Sequence, residues 1–120
     1  MRIILAAVAV TWLLAAAAKA SEGDFTDLTG IPVMEGLAVV PDSLVVFDKE
    51  EGRILEAALE GEAALSGTIA FYREALFQLG WALIAETPAA LAFAREGERL
   101  TLEVGVGPRL ELRFRLAPEP

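Results

Sequence analysis

The chain has 120 residues, of which 18 are Asp or Glu and 10 are Lys or Arg, and it contains neither Cys nor His. This length is that of one small domain. The missing residue types exclude disulfides, Cys-His zinc sites, thiol nucleophiles, Ser-His-Asp triads and imidazole bases, so carboxylates are the reactive side chains that remain abundant.

The N-terminus has the three-part pattern of a secretory signal peptide. Arg2 precedes an uncharged apolar stretch over residues 3–18, and the Ala-Lys-Ala sequence at residues 18–20 places small side chains at both critical positions of a cleavage site. We predict a signal peptide over residues 1–20, cut after Ala20, and export to the bacterial periplasm. Two alternatives stay open. Residues 3–18 could anchor the chain in the inner membrane, although they fall just short of the roughly 17–25 residues that span a bilayer, or they could form a buried helix of the fold.

Cleavage would leave a strongly acidic protein. Loss of Arg2 and Lys19 leaves 18 acidic against 8 basic side chains, a net charge of −10. An electrostatic field of that sign repels nucleic-acid phosphates and anionic lipid surfaces. We therefore expect no nucleic-acid partner, and membrane contact only through an uncleaved N-terminal segment.

Residues 21–42 are predicted to form an irregular lead-in to a single domain over residues 43–117. Glycine and proline interrupt every periodic run in this lead-in. Its apolar residues, among them Ile31 and Leu37, are too numerous for a segment surrounded by water. We expect the lead-in to pack across an edge of the sheet.

The first regular pattern is a hairpin. Residues 43–47 (SLVVF) and 53–60 (RILEAALE) have the composition of strands, and the polar stretch 48–52 (DKEEG) separates them as a turn. The second of these runs also fits a helix, and both interpretations stay open.

One helix is predicted between Ser66 and Leu79. Ser66 is a suitable N-cap, and apolar residues recur at steps of three and four from Ile69 onward. Gly80 supplies the left-handed residue that ends a helix, and Trp81 follows where an apolar side chain folds back onto the last turn. The sequence therefore predicts that the helix ends at Gly80 and that the next strand begins at once, with Trp81 packed against the last turn of the helix.

Four strands are predicted after the helix, over residues 81–86, 89–95, 99–106 and 110–116. The last two alternate strictly between apolar and polar residues, so one face of the sheet is core and the other is solvated.

The register follows because apolar residues must oppose one another where one sheet face is buried. A turn at residues 96–97 sets Phe93 opposite Leu100. In the last hairpin we prefer the register that sets Glu103 against Arg113, because the tighter alternative opposes like charges. Together these elements predict an α+β fold, a two-layer sandwich of order β-β-α-β-β-β-β in which one helix covers an antiparallel sheet.

Acidic clusters are the first candidate sites. Asp48, Glu50 and Glu51 lie together in a predicted turn, and Glu60 and Glu62 flank a glycine. Two carboxylates about 5–10 Å apart in a cleft would permit hydrolysis, but neither cluster has the apolar surroundings that raise a carboxyl pKa. The first cluster also lacks the ligand spacing of an EF-hand calcium loop. We interpret both as solvated turns, and we expect no catalytic residue, metal site or cofactor.

Arg99, Arg113 and Arg115 are candidate binding residues on the solvent face of the last two strands. Guanidinium groups present paired donors that suit a carboxylate or a phosphate. The alternative is an ordinary solvated face that Glu103 and Glu111 neutralise.

Met34 and Leu37 are the other candidate binding residues, because a mobile lead-in would expose them beside the sheet. Tyr72, Trp81 and Phe93 could line a ligand pocket between helix and sheet. Aromatic residues at this spacing, however, more often fill a core.

Residues 71–81 (FYREALFQLGW), followed by residues 93–100 (FAREGERL), resemble small exported bacterial proteins of uncharacterised function. Residues 32–37 and 47–54 are similar to the earlier part of such sequences. Phe77 departs from the pattern, which has proline at that position. The resemblance implies an envelope protein and carries no particular activity.

Export, small size and the lack of catalytic groups favour a non-enzymatic periplasmic accessory protein that contacts another envelope protein. A small-molecule or lipid carrier is the alternative, and it needs a cavity of roughly 300 Å³ or more between helix and sheet. A carboxylate hydrolase is a third hypothesis.

Overall fold

The structure, a computed structural model, describes residues 23–120, and the predicted signal peptide lies outside this range. The described part of the chain contains two helices and one seven-stranded sheet. The helices are α1, residues 23–29, and α2, Leu65–Gln78. The strands are β1 (Leu37–Val39), β2 (Val45–Lys49), β3 (Gly52–Gly61), β4 (Ala82–Thr87), β5 (Ala90–Arg95), β6 (Glu98–Val106) and β7 (Leu110–Pro118).

The sheet is antiparallel throughout, in the order β1-β3-β7-β6-β5-β4. β2 also pairs with β3, so β1 and β2 share one edge of that strand, one after the other. At the other edge of the sheet, β4 carries an irregularity between Leu83 and Ala85. The predicted fold class, an α+β two-layer sandwich with an antiparallel sheet under one helix, is confirmed.

Both predicted registers are confirmed. Phe93 lies opposite Leu100 in the β5–β6 pair, and Glu103 lies opposite Arg113 in the β6–β7 pair. The apolar pattern and the avoidance of like-charge pairs were therefore sufficient to align the last three strands.

The end of α2 follows the prediction. Gly80 has a φ of 92°, in the left-handed region. Its N–H donates to the carbonyl oxygen of Phe77 at 3.0 Å, and the N–H of Trp81 donates to that of Leu76 at 2.9 Å. This pair of hydrogen bonds is the Schellman motif, and it carries the chain directly into β4.

The predicted N-cap at Ser66 is wrong. α2 begins at Leu65, and Ala64 is the N-cap, without a side-chain hydrogen bond to cap the helix. Thr68 is buried, and its hydroxyl donates to the carbonyl oxygen of Ala64 at 2.8 Å. Thr68 is the one buried residue of this first turn, and the helix begins without the capping side chain that the pattern predicts.

The prediction of an irregular lead-in is wrong for two stretches, since residues 23–29 form α1 and residues 37–39 form β1. Tertiary contacts stabilise both. Phe25 of α1 is fully buried, and its ring meets that of Phe114 edge-on at 5.3 Å between centroids. β1 pairs with the end of β3, which confirms the expected packing across a sheet edge.

Tyr72 joins the lead-in to α2. Its ring is fully buried and meets Phe114 edge-on at 5.4 Å. Its hydroxyl accepts a hydrogen bond from the N–H of Met34 at 2.9 Å and donates one to the carbonyl oxygen of Pro32 at 2.9 Å. One side chain thereby holds a segment nearly 40 residues away in the sequence.

Gly61 is the last residue of β3, where β1 approaches most closely. A Cβ atom at this position would lie 2.0 Å from the carbonyl oxygen of Gly36 and 3.0 Å from the Cα atom of Leu37. We expect Gly61→Ala to lower the free energy of unfolding by about 1–3 kcal/mol, because backbone has to move. Urea denaturation measures the change. Gly105→Ala is the matched control, since nothing lies within 4 Å of that Cβ position, and equal effects would contradict the close approach of β1.

Candidate functional site

The sheet has two unlike faces. Leu112, Phe114 and Leu116 of β7 are buried on the face that the helices cover, and the residues between them lie on the opposite face. No helix of residues 23–120 covers that second face, which we call the open face. Its side chains on β3, β6 and β7 are those of Ile54, Glu56, Ala58, Glu60, Arg99, Thr101, Glu103, Glu111, Arg113, Arg115 and Ala117.

The three arginines predicted as binding residues all lie exposed on the open face. The Nε of Arg115 donates to Glu56 at 3.1 Å, and the Nε of Arg113 donates to Glu111 at 2.8 Å. This hydrogen bond and the attraction of the Glu111 carboxylate raise the pKa of Arg113. Arg99 has no carboxylate oxygen within 4.0 Å in the described part of the chain.

Arg99 and Arg115 line a groove of about 480 Å³ on the open face, which we call the Arg99 groove. Thr101 follows Arg99 by two residues in β6 and lies opposite Arg115 of β7. Lys49 at the end of β2 adds a third cation, and Ile54 contributes apolar surface. The remaining lining residues are Glu51, Ala117, Pro118, Glu119 and Pro120. Its volume falls within the range of roughly 300–1,000 Å³ that is typical of small-ligand sites.

A second groove of about 410 Å³ lies beside the first and is mainly acidic. Its charged lining residues are Glu56, Glu103, Glu111, Arg113 and Arg115. The structure therefore places Arg113 away from Arg99, against carboxylates. The first groove has three basic and two acidic lining residues and the second has three acidic and two basic ones, so the predicted arginines do not form one site.

The other two predicted binding residues lie against the core. Leu37 is only 7% exposed in β1, and Met34 is half-buried. Pairing with β3 and the hydrogen bond from Met34 to Tyr72 hold this segment in place. The prediction that Leu37 is exposed is therefore wrong. Its side chain is buried and cannot contact a partner.

The aromatic side chains fill the space between helix and sheet. Tyr72, Trp81 and Phe93 are each at most 1% exposed. Tyr72 packs against Phe114, and the guanidinium of Arg95 lies 4.4 Å from the centre of the Trp81 ring. These rings pack against their neighbours, and none of them lines either of the two grooves described above.

The first acidic cluster lies at the connection between β2 and β3. Asp48 belongs to β2 and pairs across the hairpin with Arg53, while Glu50 and Glu51 form the turn. All three acids are exposed. The predicted turn over residues 48–52 is therefore longer than the turn of the structure. Asp48 and Lys49 belong to β2 and Gly52 belongs to β3, so only residues 50 and 51 form the turn.

The second acidic cluster is divided. Glu60 lies in β3, with its carboxylate 3.4 Å from the guanidinium of Arg109, and Glu62 is exposed beyond the end of that strand. In residues 23–120, no three Asp or Glu side chains come together in a way that could hold a metal ion. Neither α1 nor α2 has the length and apolarity needed to cross a membrane.

Sequence reasoning missed Lys49 and Thr101 as parts of the Arg99 groove. Thr101 could have been found, because it follows Arg99 by two residues in an alternating strand. Lys49 was assigned to a turn, and only its pairing with Gly52 brings it to the groove. That pairing depends on where β2 ends and β3 begins, and the pattern of apolar and polar residues did not define these two positions.

Comparison with protein-family models, curated proteins and solved structures finds no match to this chain. The resemblance to small exported bacterial proteins stays an expectation.

Proposed function

We propose that this protein is a non-enzymatic accessory protein of the bacterial periplasm that binds another envelope protein through the open face of its sheet. The observation that carries the proposal is that face, which presents exposed arginines and two grooves and bears no helix of residues 23–120. Export to the periplasm is proposed from the signal-peptide pattern of residues 1–20.

The composition of the open face supports protein contact. At one side of the face, the edge strand β2 adds Val45 and Phe47, which are 39% and 55% exposed. Phe47 lies opposite Ile54, next to the Arg99 groove. Aromatic residues and arginine are enriched in protein interfaces, where they contribute most of the binding energy. An apolar border beside unlike charges is therefore suited to a specific protein partner.

The non-enzymatic part of the proposal rests on chemistry. The sequence contains no Cys and no His. The carboxylates of the first acidic cluster are exposed to solvent at the end of β2 and in the turn that follows it, whereas general acid-base catalysis uses groups held in position against a substrate.

Site-specific photocrosslinking in living cells tests the proposal. A photoreactive residue in place of Thr101 on the open face should crosslink to one defined envelope protein. The same residue in place of Glu74, exposed on α2, is the matched control and should give no such product. Equal products from both positions, or none from either, would contradict a role for the open face.

The purified protein should begin at Ser21, which mass spectrometry measures.

A further inference from the structure

Arg99 differs from the other arginines of the described chain. Six of the seven have a carboxylate oxygen within 4.0 Å, namely Arg53, Arg73, Arg95, Arg109, Arg113 and Arg115. Arg99 lacks one although acidic side chains outnumber basic ones in the sequence by 18 to 10. Its donors are free to bind a group from another molecule.

The neighbours of Arg99 leave space for such a group. Across the sheet, it lies opposite Ala94 of β5 and Ala117 of β7. These methyl side chains are too short to cover a guanidinium, so the donors stay accessible on both sides. The groove beside them is lined by Ile54, by the hydrogen-bond donors Lys49, Thr101 and Arg115, and by two acidic side chains, Glu51 and Glu119.

We propose that the Arg99 groove binds a carboxylate from an acidic segment of the partner protein, with Arg99 as the principal donor and Lys49 and Thr101 as additional donors. This inference rests on the proposed function of the open face. A guanidinium binds a carboxylate through two parallel charge-assisted hydrogen bonds, which gives both affinity and orientation. The apolar surface of Ile54 then accommodates an apolar residue next to the acidic one.

The charge distribution of the open face also orients the segment. In the adjacent groove, the carboxylates of Glu56 and Glu111 are paired with arginines, whereas that of Glu103 has no basic side chain within 4.0 Å in residues 23–120 and repels a second acidic residue. The partner segment therefore carries its acidic residue over Arg99 and a neutral or basic residue over Glu103.

Peptide titration followed by NMR of the arginine Nε–H groups tests the proposal. The probe is the acetylated, amidated tripeptide Val-Glu-Val, and its control is Val-Gln-Val, which has the same shape without the charge. The Glu peptide should shift the Arg99 signal, and binding should weaken as salt is added. Arg99→Gln should weaken binding about tenfold, the effect of one charge-assisted interaction. Arg73→Gln, which removes an exposed arginine of α2, should leave binding unchanged.

The proposal is overturned if the Gln peptide binds equally well, or if the two arginine variants behave alike. It is also overturned if inorganic phosphate shifts the Arg99 signal and the Glu peptide does not. A shift caused by raising the protein concentration alone would assign the carboxylate to a second copy of this chain, against the proposal. Crosslinking from Thr101 that persists after any of these results would retain the proposed function and reject only the carboxylate site.

Discussion

Replacing Trp81 by alanine is expected to lower the free energy of unfolding by about 3–5 kcal/mol. The side chain is 1% exposed and follows directly on the Schellman motif at Gly80. The Arg95 guanidinium lies over its ring and also donates to the carbonyl oxygen of Leu79 at 2.8 Å. The ring therefore joins the end of α2 to β5, and its loss leaves a cavity at the junction of the two layers.

Urea denaturation of Trp81→Ala and Phe77→Ala forms a matched pair of measurements. Phe77 is also a large aromatic residue near the end of α2, but it is 72% exposed. Its replacement should change the free energy of unfolding by less than about 0.5 kcal/mol. A loss below about 1 kcal/mol for Trp81→Ala would show that the ring does not lie in the core.

Replacing Tyr72 by phenylalanine is expected to cost about 2–4 kcal/mol, because it removes one hydroxyl and leaves two backbone groups without their partner. Those groups are the N–H of Met34 and the carbonyl oxygen of Pro32. The ring itself keeps its packing against Phe114. Hydrogen exchange should show faster exchange of the Met34 amide than in the wild type. An unchanged free energy of unfolding would contradict the two hydrogen bonds.

The same side chain predicts a loss of stability at alkaline pH. Burial raises the pKa of Tyr72 from 10.0 to about 12, although the hydrogen bond from the Met34 N–H acts in the opposite direction. The unfolded chain releases this proton first, so the stabilisation is complete below about pH 10 and is lost as pH rises towards 12. The loss is on the order of 2 kcal/mol.

Tyr72 is the only tyrosine of the chain, so the absorbance of tyrosinate reports its ionisation directly. Urea denaturation at increasing pH should show that the free energy of unfolding of the wild type falls between about pH 10 and 12. In Tyr72→Phe the free energy of unfolding should depend less on pH. Equal slopes for the two proteins would assign the alkaline effect to other groups.

The sequence was most informative where buried and exposed residues alternate. Register could be assigned in the last strands because a shift of one residue turns the core face outward. α1 was missed because it is short and depends on the tertiary packing of Phe25. One local indication was present: Gly30 follows α1, has a φ of 74°, and is a residue type that often ends helices.

The candidate site was predicted only in part, for a similar reason. Arg99 and Arg115 were placed on the solvent face by alternation within their own strands. The separation of Arg113 into a second groove depends on the carboxylates of β3 and β6, which alternation within β7 does not reveal. The burial of Leu37 likewise depends on pairing with β3, more than 20 residues later in the chain.

The division of one sheet edge between β1 and β2 has a consequence for the behaviour of the protein at high concentration. A long, straight row of free backbone donors and acceptors is a template on which further chains can add and grow into fibrils. Here that border is interrupted between two short strands, and the opposite border is distorted next to Ile84. The molecule can thus keep a broad sheet surface available for recognition while neither border presents a long, regular row of backbone groups for fibril growth.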